Sequence, residues 1–259
     1  MKRPGVVVVV LLLALGGVLF SVSRDGKKDA GLLVFCAAGL RGPMEEIARN
    51  YEAETGVPVR LQLGGSGALE AQIAVAGGDL FLPADGSYLD SVQKKGLLGD
   101  TFSVARMTAG IVVAKGNPKS LKTLADLALS GTRLSLADGS AAIGKHVREV
   151  LAETGELAAI SRNITVTKPT VNDTVEDVAI GAVDATLAWD AVARGFSEVE
   201  WIAVPAFSEK PVDTGIGVLL SSKQPKAATD FAQYVAAKDK GRRVFLKYGF
   251  SFGKGADDE

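Results

Sequence analysis

Four consecutive residues, Gly64-Gly65-Ser66-Gly67, combine residue types that can hold a small anion. They lie between a strand-like stretch that ends at Leu63 and a helical stretch that opens with Ala68 and Leu69. Glycines at such a turn leave backbone N–H groups uncovered, and the helix N-terminus adds a partial positive charge. Ser66 adds a hydroxyl donor, but serine is also a preferred helix N-cap. Taken alone, the motif fits an anion cradle and an ordinary capped turn equally well.

The chain around this turn alternates strand-like runs with amphipathic helical stretches. Leu32–Ala38 is continuously apolar, the pattern of a parallel strand buried on both faces. Pro43 suits the first turn of the next helix, in which Met44, Ile47 and Tyr51 recur at helical spacing. Further strands are predicted at 57–63, 79–82, 108–114, 133–137, 164–166, 184–189, 201–204 and 216–220. Further helices are predicted at 68–76, 121–129, 144–154, 174–180, 224–234 and 240–248. This alternation predicts an α/β fold with a mostly parallel sheet.

Small residues crowd the segments that follow several of these strands. They stand after Ala38, after Leu63, after Ala137 and around Val171. Ligands of open α/β sheets bind outside the carboxyl ends of the strands, so these segments are the candidate site. Arg41 is the one cation in the first two turns. Uncharged N–H donors hold an anion without a salt bridge, which suits an oxyanion that is later released.

Composition excludes several other classes of function. The chain has 259 residues, 47% hydrophobic and 23% charged, with a formal net charge of −1. No basic block suggests nucleic-acid binding. A single cysteine, Cys36, excludes an intramolecular disulfide framework, and a single histidine, His146, excludes a histidine-based metal cluster within one chain.

The N-terminus predicts export. A short positive segment, Met1–Arg3, precedes an apolar run from Val6 to Val22, and small residues at Ser21 and Ser23 offer a cleavage site. Residues 1–23 are therefore predicted to be a signal peptide or, uncleaved, an N-terminal anchor. Residues 24–30 would be a linker and residues 253–259 a flexible tail. Either fate of the N-terminus places the folded part outside the cytoplasm.

Three motifs in order carry a resemblance to a known family. They are Val34-Phe-Cys-Ala-Ala-Gly-Leu40, Gly64-Gly-Ser-Gly-Ala-Leu-Glu-Ala-Gln-Ile73 and Gly78-Asp-Leu-Phe-Leu-Pro-Ala-Asp85. With a matching stretch over 171–189 and a closing Lys247-Tyr-Gly-Phe250, the chain resembles the molybdate-binding periplasmic proteins. These proteins are the solute receptors of ABC importers for molybdate and tungstate. The resemblance covers nearly all of residues 32–252.

The resemblance implies a periplasmic-binding-protein type II fold, with two α/β lobes and a ligand cleft between them. The first lobe would comprise residues 31–107 and 206–252, and the second lobe residues 108–205. It further implies a monomeric binding protein rather than an enzyme, with no cofactor and no metal except within the oxyanion. Its partners would be molybdate or tungstate and an ABC permease in the membrane.

The family's anion contacts can be carried over residue by residue. The family holds its anion with two serines, second-lobe amides and a tyrosine. The second serine matches Ser66, whereas the first falls on Gly39 and loses its hydroxyl. The tyrosine falls on Trp189, whose indole can donate but not accept a hydrogen bond.

The second-lobe amides fall on Val171 and on Ile143 or its neighbour Ala142. Gly67 and Asn172 are further possible contacts. Neither Ile143 nor Val171 is a carboxylate, so simple binding of a tetrahedral anion is expected.

Two alternatives stay open at this point. Gly39 and Trp189 depart from the family pattern, so the ligand could be another tetrahedral oxyanion, such as sulfate or a phosphonate. A serine hydrolase that pairs Ser66 with His146 would need the two side chains within hydrogen-bonding reach. We expect instead that His146 is a packed or surface residue and that Cys36 is a buried structural thiol. Asp79, Asp85 and Asp190 follow strand ends, where aspartate caps turns, and Trp189 is either a wall of the cleft or a ligand donor.

Overall fold

The computed structural model describes residues 31–253, which contain ten strands and eleven α-helices. The predicted signal peptide or anchor, the linker and all of the predicted tail except Gly253 lie outside these residues. No helix of residues 31–253 is long and apolar enough to cross a membrane.

The strands form two five-stranded sheets. They are β1 (Leu32–Ala37), β2 (Val59–Gly64), β3 (Leu80–Leu82), β4 (Leu98–Met107), β5 (Ala109–Ala114), β6 (Leu134–Ala137), β7 (Ile164–Lys168), β8 (Ala185–Trp189), β9 (Val199–Ala203) and β10 (Val212–Leu219). The first sheet has the order β2-β1-β3-β10-β4 and the second the order β7-β6-β8-β5-β9.

The helices pack around the sheets. They are α1 (Arg41–Thr55), α2 (Ser66–Ala76), α3 (Ser87–Lys94), α4 (Leu124–Leu127), α5 (Ala142–Glu153), α6 (Leu157–Ser161), α7 (Val171–Ala179), α8 (Asp190–Ala193), α9 (Pro205–Ser208), α10 (Pro225–Ala236) and α11 (Gly241–Lys247). A 3-10 turn, Ala38–Leu40, leads into α1.

Each sheet is built on three parallel strands. In the first sheet β1 pairs in parallel with β2 and β3, and in the second β6 pairs in parallel with β7 and β8. The remaining pairings are antiparallel: β10 pairs with β3 and β4, and β5 pairs with β8 and β9. The two sheets are the cores of two lobes, as expected of the α/β two-lobed fold.

The chain changes sheet twice. Thr108 alone separates β4 from β5, and the stretch between Ala203 and Val212, which includes α9, leads back from β9 to β10. From these two crossings we propose that one lobe comprises residues 31–107 and 206–252 and the other lobe residues 108–205.

The apolar periodicity predicted the core well around α1. Its predicted inward positions Met44, Ile47 and Tyr51 are all buried, and the continuous apolar run of β1 is almost entirely buried as well. The helix ends at Gly56, whose φ of 75° lies in the left-handed region that glycine adopts without strain. In this part of the chain the apolar periodicity and the helix-ending glycine both agree with the observed helix.

Several predicted element bounds are wrong. The ten-residue strand β4 was not predicted, because polar residues interrupt its apolar pattern and because its pairing with β10 is irregular at two places. The helix predicted at 121–129 is only the short α4. Three helices begin two or three residues earlier than predicted, at Ser66, Ala142 and Val171. Their first turns carry no apolar periodicity, which is why the pattern placed their starts too late.

Candidate functional site

A small cavity lies between the two lobes, where the carboxyl ends of the parallel strands of both sheets meet. Every residue that lines it ends one of these six strands or follows one within a few positions. From the first lobe the lining residues are Ala37, Ala38, Gly39, Gly64, Gly65, Ser66 and Ala84. From the second lobe they are Ala141, Ala142, Ile143, Thr170, Val171 and Trp189.

The size and lining of this cavity restrict its ligand. Its volume is about 20 Å³, on a scale where one water molecule needs roughly 10–15 Å³. This room suits one very small ligand and excludes a sugar or an amino acid. None of its lining residues carries a charged side chain.

Three helix N-termini supply the polar character of the cavity. Ser66 begins α2, Ala142 begins α5 and Val171 begins α7, and all three residues line the cavity. The N–H groups of a first helical turn have no partner within the helix, and the helix dipole adds partial positive charge there. The cavity can therefore stabilise a negative charge without a single cationic side chain.

The hydroxyl of Ser66 is positioned by a neighbouring backbone amide. The Ala84 N–H donates to Ser66 Oγ over 3.0 Å, and Ser66 is 1% exposed. The suggestion that Ser66 is the helix N-cap is wrong, because Gly65 is the N-cap, in an extended conformation, and Ser66 is the first helical residue. Since the oxygen already accepts one hydrogen bond, the hydroxyl can direct its own proton at a ligand.

Trp189 and Gly39 lie side by side on opposite lobes. Trp189 ends β8 and is 1% exposed. A Cβ atom added to Gly39 would lie 3.8 Å from Trp189 Cδ1, the ring carbon next to the indole nitrogen. The two positions at which the sequence departs from the family pattern are therefore neighbours that line the same cavity.

The structure brings most of the predicted site residues together. Five predicted contacts and one of the possible ones line the same cavity: Gly39, Ser66, Ala142, Ile143, Val171 and Trp189. Gly67 does not line it, because its N–H donates to Ser140 O of the second lobe over 2.7 Å. Asn172 does not line it either, and its Oδ1 atom is buried without a hydrogen-bond partner.

Sequence reasoning missed Ala84 and Thr170. Ala84 follows the short strand β3 and contributes the N–H that holds Ser66. Thr170 lines the cavity, but its hydroxyl caps α7: it donates to Asp173 Oδ2 over 2.7 Å and accepts from Asp173 N–H. The pattern Thr-x-x-Asp at 170–173 is a recognisable N-terminal signal that predicts this cap.

The hydrolase alternative finds no support in the geometry. His146 is 8% exposed and packs against the rings of Trp189 and Phe207, at 5.4 and 5.9 Å between centroids. Its Nε2 atom is buried without a partner, and Ser66 Oγ is bonded to Ala84 rather than to the imidazole. Burial lowers the pKa of His146. Of the two positions predicted for His146, packed or at the surface, the structure shows the packed one.

The cysteine and the three aspartates considered as candidate groups are buried or hydrogen-bonded within the protein. Cys36 is buried, and this burial raises the pKa of its thiol. The carboxylate of Asp79 accepts from Leu33 N–H and Ser222 Oγ–H, that of Asp85 from Ser87 N–H, and that of Asp190 from Thr108 N–H. In the part of the chain that the structure describes, no group of three or more acidic, histidine or cysteine side chains could hold a metal ion.

Two matched α/β lobes with an anion-sized cavity between their strand ends define a two-lobed solute-binding protein. A family model described as "Bacterial extracellular solute-binding protein" matches residues 32–251. The chain belongs to this family, whose members bind solutes outside the cytoplasm and are not enzymes.

Named relatives and solved structures agree with this membership. The chain is 32% identical to the molybdate-binding protein ModA of Mycobacterium tuberculosis over 85% of this chain and 84% of the relative. It is 28% identical to ModA of Escherichia coli over 90% and 93%.

The periplasmic molybdate-binding protein of Azotobacter vinelandii superimposes with a TM-score of 0.74 at 19% identity, over 86% of this chain and 100% of that one. The sulfate-binding protein SubI of M. tuberculosis has the same TM-score at 15% identity, over 87% and 88%. At these identities the two structures show the shared fold alone.

Proposed function

We propose that this protein captures molybdate or tungstate outside the cytoplasm and delivers it to the permease of an ABC importer. The observation that carries the proposal is the small uncharged cavity onto which the N-termini of α2, α5 and α7 converge. The names of the M. tuberculosis and E. coli relatives point to molybdate as the anion.

The proposed contacts come from both lobes. From the first lobe, Ser66 donates its hydroxyl and its amide, and Gly39 donates its amide. From the second lobe, amides at Ile143 or Ala142 and at Val171 complete the cradle, and Trp189 provides either the wall or an indole N–H. Hydrogen bonds to a charged oxygen are about twice as strong as neutral ones, so a few such donors can hold a dianion.

Another tetrahedral oxyanion is the second candidate ligand. Gly39 and Trp189 motivate it, because one hydroxyl is absent and a tyrosine is replaced relative to the family pattern. Sulfate and phosphonates are the anions to compare in a competition titration against molybdate.

The proposal also covers the cellular location of the protein and its partner. We propose that residues 1–23 export the chain as a signal peptide or hold it at the membrane as an anchor. The folded part, residues 31–252, would act as a monomer in the periplasm or its extracytoplasmic equivalent, with 24–30 as a linker. The delivery partner would be a membrane permease.

The first test is the thermal stability of the purified protein with different oxyanions. A ligand at about 100 times its Kd stabilises a protein by about 2.7 kcal/mol, which for a chain of this size raises Tm by roughly 5–10 °C. We expect that shift with molybdate and tungstate and little shift with phosphate or nitrate. If folded protein shows no shift with either metal oxyanion, the ligand assignment is wrong, and a shift with sulfate alone favours the second candidate.

A further inference from the structure

Three glycines of the first lobe stand at positions where backbone conformation does not require glycine. Gly39 is in the 3-10 turn, Gly65 has φ −69° and ψ 143°, and Gly67 is in the first turn of α2. None of the three has a positive φ. Because glycine within a helix is less stable than alanine by about 1 kcal/mol, Gly67 in particular needs another physical reason.

Atoms of the second lobe occupy the space next to two of these glycines. A Cβ atom added to Gly65 would lie 3.1 Å from both Pro169 O and Ser140 O. A Cβ atom on Gly67 would lie 3.0 Å from Ser140 O, the same oxygen that accepts the Gly67 N–H. These are backbone atoms, which cannot rotate away as a side chain can.

At Gly39 the facing atoms are side chains of the second lobe. An added Cβ would lie 3.1 Å from Val171 Cγ1 and 3.1 Å from Val192 Cγ2. Both valines are buried, at 5% and 6% exposure, and β-branched side chains have few alternative rotamers. Val192 is not among the residues that line the cavity.

We propose that Gly39, Gly65 and Gly67 form a closure face, a set of positioning residues against which the second lobe seats when the protein closes. Val192 and Val171 fill the space left at Gly39, and the backbone at Ser140 and Pro169 seats on Gly65 and Gly67. The absence of side chains on this face lets the lobes come close enough to enclose the anion. Gly67 and Val192 act on closure without touching the ligand.

A side chain on the closure face acts on closure rather than on folding. At Gly39 and Gly65 the nearest atoms to an added Cβ all belong to the other lobe, whereas at Gly67 Tyr88 Cε1 of the same lobe would also lie 3.3 Å away. Hinged lobes can separate as rigid bodies. Opening relieves the overlap at less cost than distorting two buried valines or a strand end. The closed state then makes up a smaller fraction of the protein, and the apparent affinity for the anion falls in proportion to that fraction.

The test is a double-mutant cycle on the full chain with Gly39→Ala, Val192→Ala and both together. Gly139→Ala is the matched control, because a Cβ atom there has nothing within 4 Å and its φ is not positive. Gly65→Ala is a second probe, since its overlap is with backbone atoms and truncating Val192 cannot relieve it. The unfolding midpoint without anion shows that each variant is folded.

Two readouts are measured on each variant. The first is molybdate affinity by titration, which rests on the proposed function. The second is hydrogen exchange at the Gly67 amide, which has no intrahelical partner and is protected only by its bond to Ser140 O across the lobes. This second readout reports closure whichever anion the protein binds.

We expect Gly39→Ala to weaken molybdate binding about tenfold or more, equivalent to about 1.4 kcal/mol, and to speed exchange at Gly67. The loss should be smaller in the Val192→Ala background, whereas Gly65→Ala should lose binding in both backgrounds. Gly39→Ser should also weaken binding, although it restores the hydroxyl of the family pattern.

Other results overturn the closure face. These are equal losses from Gly39→Ala in both backgrounds, tighter binding by Gly39→Ser, or no protection of the Gly67 amide in the parent chain with or without anion. If the parent fails to bind molybdate but Gly39→Ala still speeds exchange at Gly67, the proposed ligand is wrong and the closure face stands.

Discussion

The two walls of the cavity are built from equivalent positions of two similar sheets, yet they present different groups. The first wall follows β1, β2 and β3 and consists of glycine, alanine and Ser66. The second wall follows β6, β7 and β8 and carries larger apolar side chains, among them Ile143, Val171 and Trp189. A wall of small residues thus faces a wall with larger side chains, so the two lobes are complementary in shape.

The two hydroxyls on these walls show a second difference. Ser66 accepts from Ala84 N–H and keeps its own proton free for a ligand, whereas Thr170 gives its proton to Asp173. A hydroxyl at the cavity is therefore not by itself a ligand contact. A hydroxyl can donate to the ligand only if its proton is not already donated to a neighbouring group.

The largest expected effect tests the first wall. Ser66→Ala removes the one side-chain hydroxyl of the cavity whose proton is uncommitted, and it leaves the Ala84 N–H without its partner. We expect molybdate binding to fall below detection, because both the donor and the local geometry are lost. Isothermal titration on variant protein with a cooperative unfolding transition measures this. Near-parent affinity would show that the anion binds elsewhere.

A smaller and different effect is expected from the second wall. Thr170→Ala removes the α7 cap, which costs about 1 kcal/mol of unfolding free energy, while anion affinity should change far less than in Ser66→Ala. Urea unfolding and titration of the same samples separate the two quantities. Thr170→Ser keeps the capping hydroxyl and is the matched control. A loss of affinity as large as that of Ser66→Ala would remove the contrast between the walls.

The α/β alternation was predictable because it follows from local periodicity. The apolar run at Leu32–Ala37 and the spacing of Met44, Ile47 and Tyr51 are properties of short windows of sequence. The strand β4 escaped because its bulged pairing with β10 leaves no regular alternation to detect. Periodicity is a property of short sequence segments, whereas the strand β4 forms through its pairing with β10, a distant part of the chain.

The candidate site was predictable only in part, for a related reason. Motif residues such as Ser66, Val171 and Trp189 could be placed at strand ends from the sequence, and they do line one cavity. The bond from Gly67 to Ser140 and the contact of Val192 with Gly39 join residues more than 70 positions apart in the chain. No local propensity encodes such an approach, so the sequence alone predicts anion donors at these glycines and gives no sign of the opposite lobe beside them.

The smallest expected effect concerns the group behind the second wall. His146, the only histidine of the chain, is buried against Trp189 with Nε2 unpartnered, and this burial lowers its pKa. The unfolded chain therefore takes up the proton at higher pH than the folded protein does. The resulting stability is complete above the ordinary histidine pKa of about 6.5 and is lost as pH falls below it.

Urea unfolding between pH 7.5 and 5.5 measures this loss, with His146→Phe as the comparison, because phenylalanine keeps an aromatic ring against Trp189 but does not titrate. Asp190, whose pKa burial raises, acts with the opposite sign and is present in both proteins, so the difference between them isolates the histidine. We expect the parent to lose more stability than the variant as pH falls. Parallel pH profiles would mean that His146 is hydrated in solution, and the second wall would then be more open than its packing against Trp189 and Phe207 indicates.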